Sequence, residues 1–296
     1  MTSRTVTTAA AVERTSPVRK SRRSRLDFGG VLLRIYVALV GVFLLSPIFI
    51  IFLTSFTASE SVEFPPRGVS LMWYERLVDH LAGRSGTKPG LSNSILVSAQ
   101  IGLVVAIIAV VVGVLVAYAL HKYVFPGKEV FRNVFLLPLM FPQLVIGVGL
   151  LLVFSEYRWF GFFERLVLGH VILTIPFVVL TVGASLEVYE EQLEEAAMGL
   201  GAGPVQTFFL VTLPLIRQGI IAGAIFAFVT SFTQFTVTFF LYSGATKPLP
   251  MWVYEIVVMS LDPLLAVISI LLIALTVVVV VALSKLVDVR RLFGGR

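Results

Sequence analysis

Stretches dominated by apolar residues recur six times along the chain, near 33–56, 93–120, 134–155, 166–186, 219–241 and 264–286. Each approaches or exceeds the roughly 20 residues that an α-helix needs to cross hydrocarbon. None alternates apolar and polar positions as barrel strands do. The pattern therefore predicts an all-α integral membrane protein with six transmembrane helices. The two halves share no evident repeat, which argues against an inverted-repeat carrier.

The first 28 residues are of another kind. They are rich in Ser, Thr, Ala and Arg, carry the basic run RKSRRSR at 19–25 and lack apolar periodicity. Such a segment does not bury enough apolar surface to fold alone, and it reads as a basic cytoplasmic tail. The expected organisation is a tail at 1–28, a membrane domain at 29–290 and a short cytoplasmic tail at 291–296. The first apolar run is too long for a signal-peptide core and reads as an uncleaved anchor.

Composition agrees with this picture. Apolar residues make up 57% of the chain, charged residues 14%, and the mean hydropathy is +0.97, against about 25% charged residues in an ordinary soluble domain. With the N-terminus inside, sixteen of the 23 Lys and Arg residues fall in cytoplasmic segments, the sign expected of inner-face loops. Both termini are then cytoplasmic. Trp73, Trp159 and Trp252 fall in or beside external segments, where indole rings favour the headgroup layer. Cysteine is absent, so disulfide and thiolate chemistry are excluded.

Between the fourth and fifth runs lies the segment EVYEEQLEEAAMGLGAGPVQTFFLVTLP, at 187–214. Glu187, Glu190, Glu191, Glu194 and Glu195 fall on one stripe of a 3.6-residue helix. Repulsion along such a stripe costs a few tenths of a kcal/mol for each neighbouring pair, which calls for a compensating partner. Glycines 199, 201 and 203 should end that helix, and Pro204 suits the first turn of the next. The expectation is a cytoplasmic helix-turn-helix between two spans.

The chain offers little chemistry of its own. It has no GxxxxGK[ST] phosphate loop, no GxSxG and no HExxH. His80, His121 and His170 show no ligand spacing and read as structural or interfacial residues. Gly147 and Gly149 lie inside a span and read as a close-packing site. No catalytic residue, metal site or bound cofactor is expected. The spans also lack central charges, which disfavours a proton- or ion-coupled carrier, the alternative reading. Their polar residues are Gln100, Gln143, Thr174, Ser231, Thr233, Gln234, Thr236 and Thr238. Ser231, Gln234 and Thr238 share one helical face at i, i+3 and i+7. With Thr233 and Gln143 they are the candidate lining of a solute path.

Glu195-Ala196-Ala197, Gly201 and Leu213-Pro214 resemble the EAA motif, EAA-x3-G-x9-I-x-LP, of permease subunits in binding-protein-dependent ABC importers, with Val211 in place of Ile. LLPLMFPQLVIGVGLL, TIPFVVL, FVTSFTQFTVTFFL and LPMWVYEIV resemble the spermidine/putrescine branch. The resemblance covers about 30–290. It implies the type I importer permease fold and a multi-pass protein of the bacterial inner or plasma membrane. It implies that 187–214 is a coupling loop, with Glu194 and the motif residues meeting a separate ATPase. ATP and magnesium would then sit on an ATP-binding subunit dimer. A second, related permease and an extracytoplasmic solute-binding protein complete the assembly, and nucleic acid has no role. The solute would be polyamine-like, opine- or amino-acid-like, or phosphonate-like; a sugar-type permease is the alternative branch. Polyamine permeases often have acidic residues where this chain has Thr233 and Gln234, a departure that weighs against a polycation.

Overall fold

The computed structural model describes residues 28–63, 65–84, 90–156, 160–188, 190–243, 247–260 and 262–286. The tails at 1–27 and 291–296 and Trp159 lie outside them. The chain divides into two units, Met1–Ile48 and Phe49–Arg296.

The described part of the first unit belongs to helix α1, Phe28–Thr54, whose apolar side chains are largely exposed. An exposed surface of Leu, Val, Ile and Phe is what a lipid-facing helix presents.

In the second unit all regular elements among the described residues are helical. They are α2 (Met72–Leu81), α3 (Leu91–Lys122), α4 (Lys128–Leu136), α5 (Gln143–Glu156), α6 (Phe162–Glu187), α7 (Gln192–Gly199), α8 (Pro204–Thr207), α9 (Leu213–Leu215), α10 (Arg217–Phe232), α11 (Thr236–Leu241), α12 (Leu249–Met259) and α13 (Leu264–Leu286). Helices α3, α6 and α10 form the central bundle, joined through Ala106, Ala109, Val178, Val182 and Ala227. Small residues allow this approach. A Cβ on Gly113 would lie 2.6 Å from Cβ of Val178, and one on Gly219 would lie 2.6 Å from the carbonyl oxygen of Thr181. Without a hydrophobic force between helices in lipid, such close packing is what holds them together.

Two of the expected runs are not single straight helices. The third is split: α4 passes through a 3₁₀ turn, Leu137–Leu139, and meets α5 at 99°. Pro138 and Pro142 remove backbone donors and displace the preceding residues from helical geometry. The fifth run is split at 233–235, between α10 and α11. No proline lies there. The Thr238 hydroxyl instead donates to the Gln234 carbonyl at 2.5 Å, and the Thr233 hydroxyl to that of Val229 at 2.9 Å. Hydroxyl bonds of this type bend helices. Among the described residues, three helices (α1, α3 and α6) are long and apolar enough to cross a membrane, or up to five spans if two bent pairs, 128–139 with α5 and 204–215 with α10, each count as one. The sixth run coincides with α13.

The tryptophans also differ from expectation. Trp73 and Trp252 are 1% and 3% exposed, packed with Leu77, Leu91, Phe232 and Leu264. The Trp73 indole N–H donates to the Ser59 carbonyl at 3.1 Å. They form a core where α2 and α12 close over the end of the bundle at which α3 begins. Burial against protein removes more apolar ring area from water than a headgroup position would.

Candidate functional site

At the opposite end of the bundle, α3 and α6 finish and α10 starts. There the acidic segment forms a helix-turn-helix. The expected single stripe is divided, because α6 ends at Glu187 and α7 begins only at Gln192. Glu187 closes the long helix, while Glu190 and Glu191 lie before α7. Glu194 and Glu195 occupy the first turn of α7, where free N–H groups and the helix dipole favour carboxylates.

The two neighbouring carboxylates point in different directions. Glu194 is 2% exposed. One of its oxygens is 2.6 Å from Nζ of Lys122, the last residue of α3. The other accepts the Thr212 hydroxyl at 2.5 Å. Beside them, Nε2 of His121 is 3.3 Å from the Glu191 carboxylate. Lys122 is the cation that compensates the acidic run, with the His121 ring beside it. The sequence signal was present, two basic residues at the end of the second span, but their proximity to a loop about 70 residues later depends on folding. Glu195 and Ala196 are exposed, and Ala197 is partly so.

The turn follows from its glycines. Gly201 has φ +94°, a region that side chains with a Cβ rarely enter. Its N–H reaches the Met198 carbonyl at 2.9 Å, and the Ala202 N–H reaches that of Ala197 at 3.1 Å. This pair of bonds closes a helix in the Schellman arrangement. Gly203 precedes Pro204, which opens the second arm. That arm runs through α8, a π-helical stretch at Phe208–Thr212 and α9, ending 72° from α10 at the fully buried Ile216. In the π stretch the Leu213 N–H bonds to the Phe208 carbonyl, a shift of register immediately before Pro214, which has no N–H to contribute. Leu213 packs against the bundle and Pro214 is exposed. The outer surface is apolar: Leu200, Val205 and Leu210 are 91%, 70% and 67% exposed. Leu200 and Leu210 line one groove with Ala197 and Val211, and exposed apolar surface of this kind marks an interaction site.

A second polar constellation lies inside the bundle. His170 on α6, 2% exposed, is 2.8 Å through Nδ1 from the Ser231 hydroxyl and 2.9 Å through Nε2 from the Thr238 hydroxyl. Thr238 already donates to the Gln234 carbonyl, so it accepts from Nε2–H, and Ser231 donates to Nδ1. A neutral imidazole satisfies every partner in this chain. The amide of Gln234 donates to the side-chain oxygen of Gln143 at 3.2 Å, linking the break in the fifth run to the break in the third.

These contacts refine the candidate path residues. Ser231, Gln234 and Thr238 converge, though not as one face of a continuous helix, since the helix is interrupted between them. Ser231 and Thr238 are buried and engaged with His170, whereas Thr233 and Gln143 are exposed. His170 is neither solitary nor interfacial. A histidine inside an apolar run is itself a signal, because such residues face the bundle interior and pair there. Of the two candidate packing glycines, Gly147 meets Phe240, with a Cβ placed 2.6 Å from its ring, while Gly149 has open space.

The model of the binding-protein-dependent transport system inner membrane component family matches residues 109–292, well over half of the chain and including the whole helix-turn-helix. The chain belongs to this family. It is the permease subunit of an ABC importer, a membrane protein whose family works with an ATP-binding partner and a solute-binding protein. The permease is 28% identical over 252 residues to the spermidine/putrescine transport system permease protein PotC of Haemophilus influenzae, covering 85% of this chain and 94% of that protein. It is 32% identical over 238 residues to the putrescine transport system permease protein PotI of Escherichia coli strain K12, covering 78% and 82%. Its fold is similar to that of a chain in the crystal structure of a bacterial ABC transporter involved in alginate import. The TM-score is 0.62 at 18% identity, covering 88% of this chain and 96% of that one.

Proposed function

We propose that this permease carries a small polyamine-type solute inward across the bacterial inner or plasma membrane, driven by ATP hydrolysis on a separate ATP-binding subunit dimer. A second, related permease forms the other half of the pathway. Both termini are cytoplasmic, and the helix-turn-helix at 187–214 is the coupling joint. The observation that carries this reading is the exposed apolar surface of the joint, flanked by the exposed Glu195 and shaped by Gly201. The cargo class rests on what PotC and PotI are named for. Without an acidic residue at Thr233 or Gln234, selection of the cation falls chiefly to the solute-binding protein. Uptake of labelled putrescine by cells expressing the whole importer is expected to depend on this chain. Loss of amino-acid or phosphonate uptake on deletion, with putrescine uptake intact, would reassign the cargo.

Topology is open to direct measurement, because the chain has no native cysteine. Residues 57–92, 156–165 and 242–263 are expected outside, and 121–133 and 187–218 inside. Val69→Cys should react with a membrane-impermeant maleimide on intact cells, Gln192→Cys only after permeabilisation. Labelling of position 192 from outside would reverse the orientation and remove the coupling reading with it.

In the path, Thr233, Gln143 and Gln234 offer neutral hydrogen-bonding groups at the two helix breaks, and Ser231 and Thr238 support them from behind. Polar contacts of moderate strength suit a solute that must enter and leave. Replacing Gln234 with Leu and with Glu separates a path role from a structural one. The expected result is altered transport or cargo preference in both variants, with assembly retained. Unchanged transport in both, or failure of both to assemble, would leave Gln234 as an interhelical hydrogen-bonding residue.

A further inference from the structure

We propose that Lys122 is a positioning residue that clamps both arms of the helix-turn-helix to the end of α3, so that movement of the joint is passed to α3 as well as to α6 and α10. The proposal rests on the coupling reading above and adds a mechanical element to it.

The geometry centres on one carboxylate. Glu194 sits on the first arm and is 2% exposed. Through one oxygen it receives Lys122 Nζ at 2.6 Å, and through the other the Thr212 hydroxyl of the second arm at 2.5 Å. Three pieces of the chain, the end of α3, α7 and the π stretch, thus meet at a single group. The nearby approach of His121 to Glu191 at 3.3 Å ties the same two regions a second time.

A basic residue at a helix C-terminus is ordinary, since the dipole and the inner-face charge bias both favour it. Lys122 differs in its partner. A solvated lysine is free to pair with any passing carboxylate, whereas Glu194 is withdrawn from water. An ionised carboxylate in that setting needs a cation and hydrogen bonds to compensate for lost hydration. The pair is therefore a fixed link and not an exchangeable surface contact.

The mechanical consequence follows from connectivity. The joint is covalently joined to α6 through 188–191 and to α10 at Ile216. Helix α3 is its third neighbour in the bundle, and its own chain turns away after Tyr123 towards α4. Without the clamp, the joint still touches the end of α3 through the His121–Glu191 approach and the Tyr118–Phe208 ring contact, but no buried ion pair fixes the two together. With it, the three bundle helices move as one body, as rigid-body transmission requires. The partition of the two acids follows: Glu195, exposed, is left for the ATP-binding partner, and Glu194 holds the joint together.

The test compares Lys122→Gln, Lys122→Arg and Thr212→Val in the assembled importer reconstituted in proteoliposomes. Co-purification of the ATP-binding subunit, ATP hydrolysis and solute uptake are measured on each. Lys122→Gln is expected to assemble and to hydrolyse ATP while the solute moved per ATP falls about tenfold, a typical effect of removing a strongly coupled contact. Lys122→Arg, which keeps the charge and the donor, should restore the ratio. Thr212→Val should lower it by a smaller factor, since only the second arm is released. An unchanged ratio in Lys122→Gln overturns the proposal. So does a loss of assembly, or a proportional fall in hydrolysis and uptake, which would make the pair a folding or docking element. Glu195→Arg, measured in parallel, tests the underlying reading: if it too is normal, the joint itself is misassigned. A normal Lys122→Gln beside a disabled Glu195→Arg overturns the clamp alone.

Discussion

Gly201→Glu should leave the permease inserted in the membrane while its ATP-binding partner no longer co-purifies and transport is lost. The residue has φ +94°, and its two flanking amide bonds close α7. An L-residue held there costs about 1–2 kcal/mol, enough to favour a different turn and a different angle between the arms. Space is not the obstacle, since a Cβ at this position meets nothing within 4 Å. Gly201→Asn is therefore the informative control: asparagine tolerates the left-handed region and should retain much of the function. Glu195→Arg approaches the same question from the surface. Its side chain is exposed and forms no salt bridge among the described residues, so a defect in that variant reports on the partner and not on folding. Co-purification and ATPase assays on the complex decide both. Normal partner binding and transport in Gly201→Glu and Glu195→Arg would reduce the helix-turn-helix to a connecting loop.

Gly219→Leu is expected to separate α10 from α6 and sharply lower the yield of folded protein. A Cβ here would lie 2.3 Å from the Ser185 hydroxyl oxygen and 2.6 Å from the Thr181 backbone carbonyl. A serine side chain can rotate away, but a helix carbonyl cannot. One turn further along the same face, a Cβ on Gly223 would lie 3.1 Å from Cα of Val178, so this first part of α10 lies against α6 backbone. Overpacking a well-filled core costs about 1–3 kcal/mol, and displacing backbone belongs at the upper end. The damage should also spread to coupling, because α10 is the continuation of the second arm beyond Ile216. Gly183→Ala is the matched control: that glycine is also helical, on α6, and a Cβ there has open space, so no loss is expected. Thermal unfolding followed by size-exclusion chromatography measures the difference. A melting temperature for Gly219→Leu within error of the parent would show that the two helices are not held at the separation described here.

Much of the joint was legible in the residues themselves. Glycines at 199, 201 and 203 and the proline at 204 act locally, through backbone freedom and a missing donor, and the helix-turn-helix has its ends where they predict. The apolar runs were equally legible as helices, because in hydrocarbon every backbone group must be satisfied within its own segment. Where the physics was not local, the sequence was silent or misleading. The five glutamates have helical spacing, yet α6 stops at Glu187 and the stripe is divided among three settings. Regular spacing is compatible with a helix but does not oblige the chain to continue one.

The sequence by itself determined that the chain is helical, apolar enough for a membrane and furnished with an acidic, glycine-bent joint, since composition, period and turn chemistry are properties of neighbours along the chain. The tertiary structure alone decided which of two adjacent glutamates is buried, that a lysine 72 positions earlier neutralises it, and that a histidine set aside in the sequence holds the break in the fifth run. Those outcomes depend on which helix ends and faces meet. That is set by the closest packing available to Gly113, Gly219 and Gly223, a three-dimensional condition between segments far apart in the chain.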